Sequence, residues 1–177
     1  PRLLATYTAG FCVLFTMVAA FTYVNFHLSH PPFHLNTSQL GLVFGVYLVG
    51  AAVTPSAGQW IDRLGNRRSL ALALCVGLAG SALTLVPSLL AVMAGLTLSC
   101  TGVFVAQSAA SSYVGKVAHE GKGVAVGLYV MFYYFGGSAG AALPGTLWSW
   151  GGWTACVALI AAVQPFTMAV ALRYWDA

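Results

Sequence analysis

Four of the ten charged residues of this 177-residue chain fall within seven positions: Asp62, Arg63, Arg67 and Arg68. They lie in the segment Gly58-Gln59-Trp60-Ile61-Asp62-Arg63-Leu64-Gly65-Asn66-Arg67-Arg68. The chemistry of such a set is charge pairing. Asp62 offers a carboxylate to the positive N-terminal end of a helix. Arg63, Arg67 and Arg68 can pair with acidic groups or with lipid phosphates. Gly58 removes a side chain, so that a neighbouring helix can come close.

Other residues suggest other chemistry and fail on spacing. Gly136-Gly137-Ser138-Ala139-Gly140 fits the G-x-S-x-G pattern of serine hydrolases. A serine nucleophile needs a base within hydrogen-bond reach. His27, His30, His34 and His119 all lie at or beyond the ends of apolar runs, and Ser138 sits in a helical pattern rather than on a strand-to-helix elbow. The match follows from glycine-rich packing, and no enzyme is expected. His27, His30 and His34 flank Pro31-Pro32, which breaks any helix that could make them converge on a metal. Cys12, Cys75, Cys100 and Cys156 fall one each in four apolar runs, so neither a disulfide framework nor a zinc site is indicated. No metal and no cofactor is expected.

The elements that must position these groups are set by the charges that are missing. No Asp, Glu, Lys or Arg occurs in 3–61, 69–115 or 123–172. Charged residues make up 6% of the chain, against about 25% in soluble domains. Mean hydropathy is +0.85. An ionised side chain at mid-bilayer costs at least ~2.5 kcal/mol, so charge-free runs this long identify an integral membrane protein. A span takes about 20 apolar residues, and six segments qualify: 3–28, 38–60, 69–86, 89–114, 124–143 and 154–172. Strand alternation is absent and backbone groups in lipid must be satisfied internally, so the fold class is all-α, a single bundle of six transmembrane helices over 1–177. Loops are expected at 29–37, 87–88 and 144–153. All seven Lys and Arg lie on the other side, which by the positive-inside rule puts both termini in the cytoplasm. The net charge of +4 thus reports topology, and no basic surface is left for nucleic acid. The start at Pro1 suggests a trimmed piece.

Small-residue stripes mark close helix packing: Ser99, Gly102, Ala106 and Ala109 in span four, Gly123 with Gly127, Gly136 with Gly140, and Gly41 with Gly45. Kinks are expected at Pro55 and Pro165. Tyr129, Tyr133, Gly136 and Gly140 share one face of span five; Tyr47, Gly50, Thr54 and Gly58 share one face of span two. A tyrosine hydroxyl at mid-membrane needs a partner, so these faces look at protein or water. Tyr23 and Tyr113, near span ends, read as interface anchors. Asn25, Gln107 and Gln164 either bridge helices or touch a ligand. Asn36-Thr37-Ser38 reads equally as a glycosylation sequon or as a polar cap opening span two. No span holds an ionisable group at mid-depth, so a proton relay would need a group elsewhere.

The turn Gly58-x3-Asp62-Arg63-x-Gly65-x-Arg67-Arg68 after the second span resembles the signature between the second and third helices of each half of major facilitator superfamily transporters. Gly65-Asn66-Arg67-Arg68 and Tyr133-Tyr134-Phe135-Gly136-Gly137 look like the bacterial efflux branch, which includes sugar and drug exporters. The resemblance extends over all six spans. It implies half of a twelve-helix transporter. The fourth span lacks the arginine usual in a first half, which points to the second. It further implies that Gly58, Asp62, Arg63, Gly65, Arg67 and Arg68 latch the two halves in the outward-facing state. The alternative is that the charges only set topology. By family geometry, spans one, two, four and five line a substrate cavity, with Asn25, Tyr47, Gln107, Tyr129 and Tyr133 as candidates and Gly136 and Gly140 as packing positions. The implied function is alternating-access transport of a small, neutral or lipophilic solute, as efflux through a bacterial inner membrane. The implied partners are membrane lipids, the solute, and a missing N-terminal half or a second copy. The rival is a six-helix unit that does not transport and needs another half or dimerises.

Overall fold

The computed structural model describes residues 1–118 and 121–176. His119, expected at a span end, lies outside them. Among the described residues the chain is helical throughout: α1 (Arg2–Ser29), α2 (Thr37–Val43), α3 (Val46–Leu64), α4 (Asn66–Leu83), α5 (Leu89–Val117), α6 (Lys122–Ala142) and α7 (Pro144–Tyr174). Five units are long and apolar enough to cross a bilayer: α1, α2 with α3, α5, α6 and α7. α4 falls outside this set. Its 18 residues begin at Asn66, so Arg67 and Arg68 ride on its first turn, three residues ahead of the expected start.

Two further boundaries differ from the sequence reading. The loop expected at 144–153 is mostly helix. Pro144 occupies the first turn, where its missing N–H leaves nothing unpaired, and the break comes only at Gly152, with φ of +57°. In span two the interruption is at Phe44–Gly45, between α2 and α3, while α3 and α7 continue as helix through Pro55 and Pro165.

α1 and α5 form the spine. α5 packs on α4 and α3, α1 packs on α6 and α7, and α1 meets α5; α4 and α7 close the back. α3 and α6 are left at the two edges, the least buried of the spans. Close approach depends on small residues. Gly102 of α5 faces the Ala73 carbonyl of α4, where a Cβ would stand at 2.5 Å. Next to it, the Ser99 hydroxyl reaches the Gly77 carbonyl at 3.1 Å and lies 3.1 Å from the Ser81 hydroxyl. Gly136 and Gly140 of α6 lie directly against the Phe11 and Phe15 carbonyls of α1. By contrast, a Cβ at Gly41, Gly58, Gly123 or Gly127 would meet nothing within 4 Å, so these glycines are not at a helix contact within the chain.

The bundle has two chemically distinct ends. At one end Arg2 pairs with Asp176 at 2.9 Å, and Lys116 donates to Asn66 at 2.7 Å. At the other, Trp153 stacks on His27 and donates to Thr84, while Trp148 packs against Tyr23 and Phe26. Asn36 caps α2: its side chain accepts from the Gln39 N–H and the Gln39 side chain accepts from the Asn36 N–H. Tyr23 and Tyr113 are buried against neighbouring helices. Tyr23 donates to the Ala141 carbonyl at 2.8 Å, and Tyr113 stacks on Trp175 and accepts from the Asp176 N–H. Both hydroxyls tie helix ends to neighbours.

Candidate functional site: an uncharged strip and a charged turn

The strip begins with Tyr129. A Cβ at Gly10 would stand 2.5 Å from its ring, so the absence of a side chain on α1 admits the phenol into the bundle. There Tyr129 is 3% exposed and donates to Gln107 Oε1 of α5 at 2.7 Å. Tyr133, one turn further along α6, stacks on Tyr129 with ring centroids 6.2 Å apart. Its hydroxyl has no hydrogen-bond partner among the described residues. One turn from Gln107 along α5 is Phe104, which meets Tyr47 of α3 edge-on at 6.4 Å. Tyr47 also packs on Phe21 of α1 at 4.3 Å. Three helices thus deliver Tyr47, Gln107, Tyr129 and Tyr133, and α1 adds Phe21, to one continuous strip on the α3–α5–α1–α6 side. It is aromatic, amide-bearing and uncharged: it can stack on a planar solute and exchange a few hydrogen bonds.

Asn25 stands at the far end of the strip, one turn beyond Phe21 on α1 and roughly 22 Å along the axis from Gly10. Its Nδ2 donates to the Phe21 carbonyl of its own helix, while its Oδ1 is buried without a partner. Phe21 and Phe104, which complete the strip, are ordinary apolar residues in the sequence, and nothing marks them there.

The charged turn is built differently. Gly65 separates α3 from α4 with φ of +82°, a conformation that side chains disfavour, and its N–H still caps α3 by bonding to the Ile61 carbonyl. Asp62, Arg63 and Arg68 are exposed, and none of them forms an ion pair among the described residues. Arg67 is half-buried, with Nε lacking a partner. Gly58 is exposed. The residue that anchors the turn is Asn66, which sequence reasoning passed over. It is 6% exposed; its Nδ2 donates to the Ala109 carbonyl of α5 at 2.8 Å, and its Oδ1 accepts from Lys116. Only its position between Gly65 and Arg67 could have flagged it. Asn66→Ala should remove both bonds and strand the Ala109 contact. A loss of about 2 kcal/mol is expected, a fall of roughly 4–8 °C in melting temperature for a chain of this size. An unchanged melting curve would reduce Asn66 to a bystander.

Ser138 donates to the Tyr134 carbonyl of its own helix, and no histidine or carboxylate bonds to it among the described residues. No cluster of potential metal ligands exists among the described residues.

Compared with known proteins, residues 3–176 match the Major Facilitator Superfamily family model. The chain belongs to that superfamily. It is therefore a multi-pass membrane protein with a major facilitator fold. Its relatives include an inner membrane transport protein, YnfM, of Escherichia coli strain K12, 34% identical over 94% of this chain and 40% of its own length. YybF of Bacillus subtilis strain 168, an uncharacterized MFS-type transporter, is 33% identical over 90% of this chain and 39% of its own. An uncharacterized transporter of Buchnera aphidicola subsp. Schizaphis graminum is 29% identical over 98% of this chain and 42% of its own. The chain thus spans about two fifths of the length of these curated relatives.

Proposed function

We propose that this chain is the second half of a secondary active transporter that exports a small, neutral or lipophilic solute across a bacterial inner membrane by alternating access. The observation that carries this reading is the uncharged strip of Tyr47, Gln107, Tyr129 and Tyr133, gathered from three helices onto one face. Two helices at its edges, α3 and α6, remain largely uncovered, and each carries bare glycines: Gly58 on α3, Gly123 and Gly127 on α6. Bare small residues are what a second six-helix unit would pack against. That unit is a first half or another copy of this chain. The match to two fifths of longer transporters, and relatives named for transport, support the same reading. Six spans with both termini cytoplasmic fit it, with α4 as the short third span and Arg2, Asn66, Lys116 and Asp176 meeting at one end. In this scheme Asp62 reaches the start of a helix in the opposing unit, and rocking of the two units exposes the strip to either side in turn.

The test is solute movement in membrane vesicles carrying the assembled transporter, with a panel of neutral and lipophilic solutes. At least one solute should move faster than in empty vesicles. Folded protein that moves none of a broad panel would leave the non-transporting unit as the better reading. Tyr133→Phe should then shift affinity for solutes that accept a hydrogen bond by about five- to tenfold, the worth of one such bond, with no change in melting. Identical affinities across the panel would return Tyr133 to packing.

A further inference from the structure

A second feature lies on the opposite flank of α3. Between α3, α4 and α5 runs a groove of about 320 Å³, walled by Trp60 and Leu64 on one side and Ser69, Leu72 and Val76 on the other. The spacings are helical: Trp60 and Leu64 are one turn apart, and Ser69, Leu72 and Val76 form a single stripe on α4. Its floor is α5, held close by the Gly102–Ala73 contact. Trp60 is 51% exposed and Leu72 56%, so the walls are open to the membrane. Ser69 is 3% exposed and its Oγ has no hydrogen-bond partner among the described residues.

The mouth of the groove carries charge. Arg68 immediately precedes Ser69 and lies one turn before Leu72; Arg63 lies one turn after Trp60. With Arg67 and the single acid Asp62, the turn has a net charge of +2. From Arg68 to Val76 the stripe runs eight residues, roughly 12 Å, close to the ~15 Å depth of one hydrocarbon leaflet. An apolar slot one leaflet deep under two guanidiniums matches an amphiphile with an anionic head. A soluble anion would leave the slot unfilled. An apolar helix would leave the arginines without counter-charge. We propose that this groove seats one acyl chain of an anionic phospholipid, with its phosphodiester held by Arg63 and Arg68 and an ester oxygen accepting from Ser69. The site depends on the chain lying in a membrane and not on whether it transports.

Native mass spectrometry tests this on the whole chain, released from bilayers of equimolar phosphatidylglycerol and phosphatidylcholine. The wild-type chain should retain one phosphatidylglycerol with at least a tenfold preference over phosphatidylcholine. R63Q/R68Q should bring that preference within threefold, and Leu72→Trp, which fills the slot and keeps the charges, should abolish retention. No preference in the wild type, an undiminished preference in R63Q/R68Q, or a lipid-free dimer would each overturn the proposal, the last by assigning the groove to protein. Should the variants not fold, quenching of Trp60 by lipids brominated on the acyl chain, present at low mole fraction and read as the difference between wild type and W60F, decides. Brominated phosphatidylglycerol should quench that component several-fold more than brominated phosphatidylcholine; equal quenching refutes the site.

Discussion

Gly136→Val should unseat α6 from α1 and lower the melting temperature by roughly 6–12 °C, while Gly127→Val on the same helix should leave the isolated chain unchanged. A Cβ at Gly136 would collide with the Phe11 carbonyl oxygen and lie 2.7 Å from the Phe11 Cα. These are backbone atoms, so no rotamer change relieves the clash; the helices must separate. Gly140 meets Phe15 in the same way one turn on, so the whole seam would open. Overpacking of this kind costs about 1–3 kcal/mol, and a backbone collision belongs at the upper end, which gives the stated shift for a chain of this size. The seam also sets the register that places Tyr129 against Gln107. At Gly127 a Cβ would meet nothing within 4 Å, so any cost of a side chain there should emerge only once a second unit is docked. Thermal unfolding of both variants in nanodiscs, followed by intrinsic fluorescence, checks the contrast. A Gly136→Val chain melting within 2 °C of wild type would mean that α1 and α6 are not locked by this contact.

How far the sequence reached depends on what kind of signal each feature leaves. Spans one and five were legible almost to the residue, because a bilayer imposes length and excludes charge; α1 runs Arg2–Ser29 where 3–28 was expected. The stretch from Pro144 to Gly151 was misread because proline and glycine are turn signals in general, yet proline is favoured in a helix's first turn. Pro55 and Pro165 attracted the kinks on composition, whereas the breaks fell at Gly45 and Gly152. Tyr47, Tyr129 and Tyr133 announced themselves as polar groups in apolar runs. Their contacts did not: Tyr129 and Gln107 are 22 positions apart, on different helices, and only packing could pair them. Phe104 and Phe21 carry no sequence signal, since an aromatic ring in this strip reads like any other in a membrane helix. Asn66 was hidden by its neighbours, three arginines that drew attention to charge when the buried amide fixes the turn.

Asp62 stands apart because its placement works against its own helix. It lies in the last turn of α3, which ends at Leu64, and the C-terminal end of a helix carries partial negative charge. A carboxylate there is electrostatically misplaced, it is exposed, and among the described residues it pairs with nothing. Arg63 in the same turn is the charge that end of the helix favours. Within the proposed two-unit transporter the misfit has a purpose, since an N-terminal helix end on the opposing unit would offset it in one conformation only. Asp62→Asn should therefore separate two readouts. The isolated chain should insert normally and melt at the wild-type temperature or slightly above, because a repulsion with its own helix is removed. Transport by the assembled protein should fall about ten- to a hundredfold, since one charge-assisted contact of ~1.5–3 kcal/mol no longer holds the latched state. Full transport by a folded Asp62→Asn protein would leave the turn as a topology signal alone. A drop in the stability of the isolated chain would instead place the partner of Asp62 within this chain. The sign of the stability change and the size of the transport change together distinguish a contact between units from a contact within one.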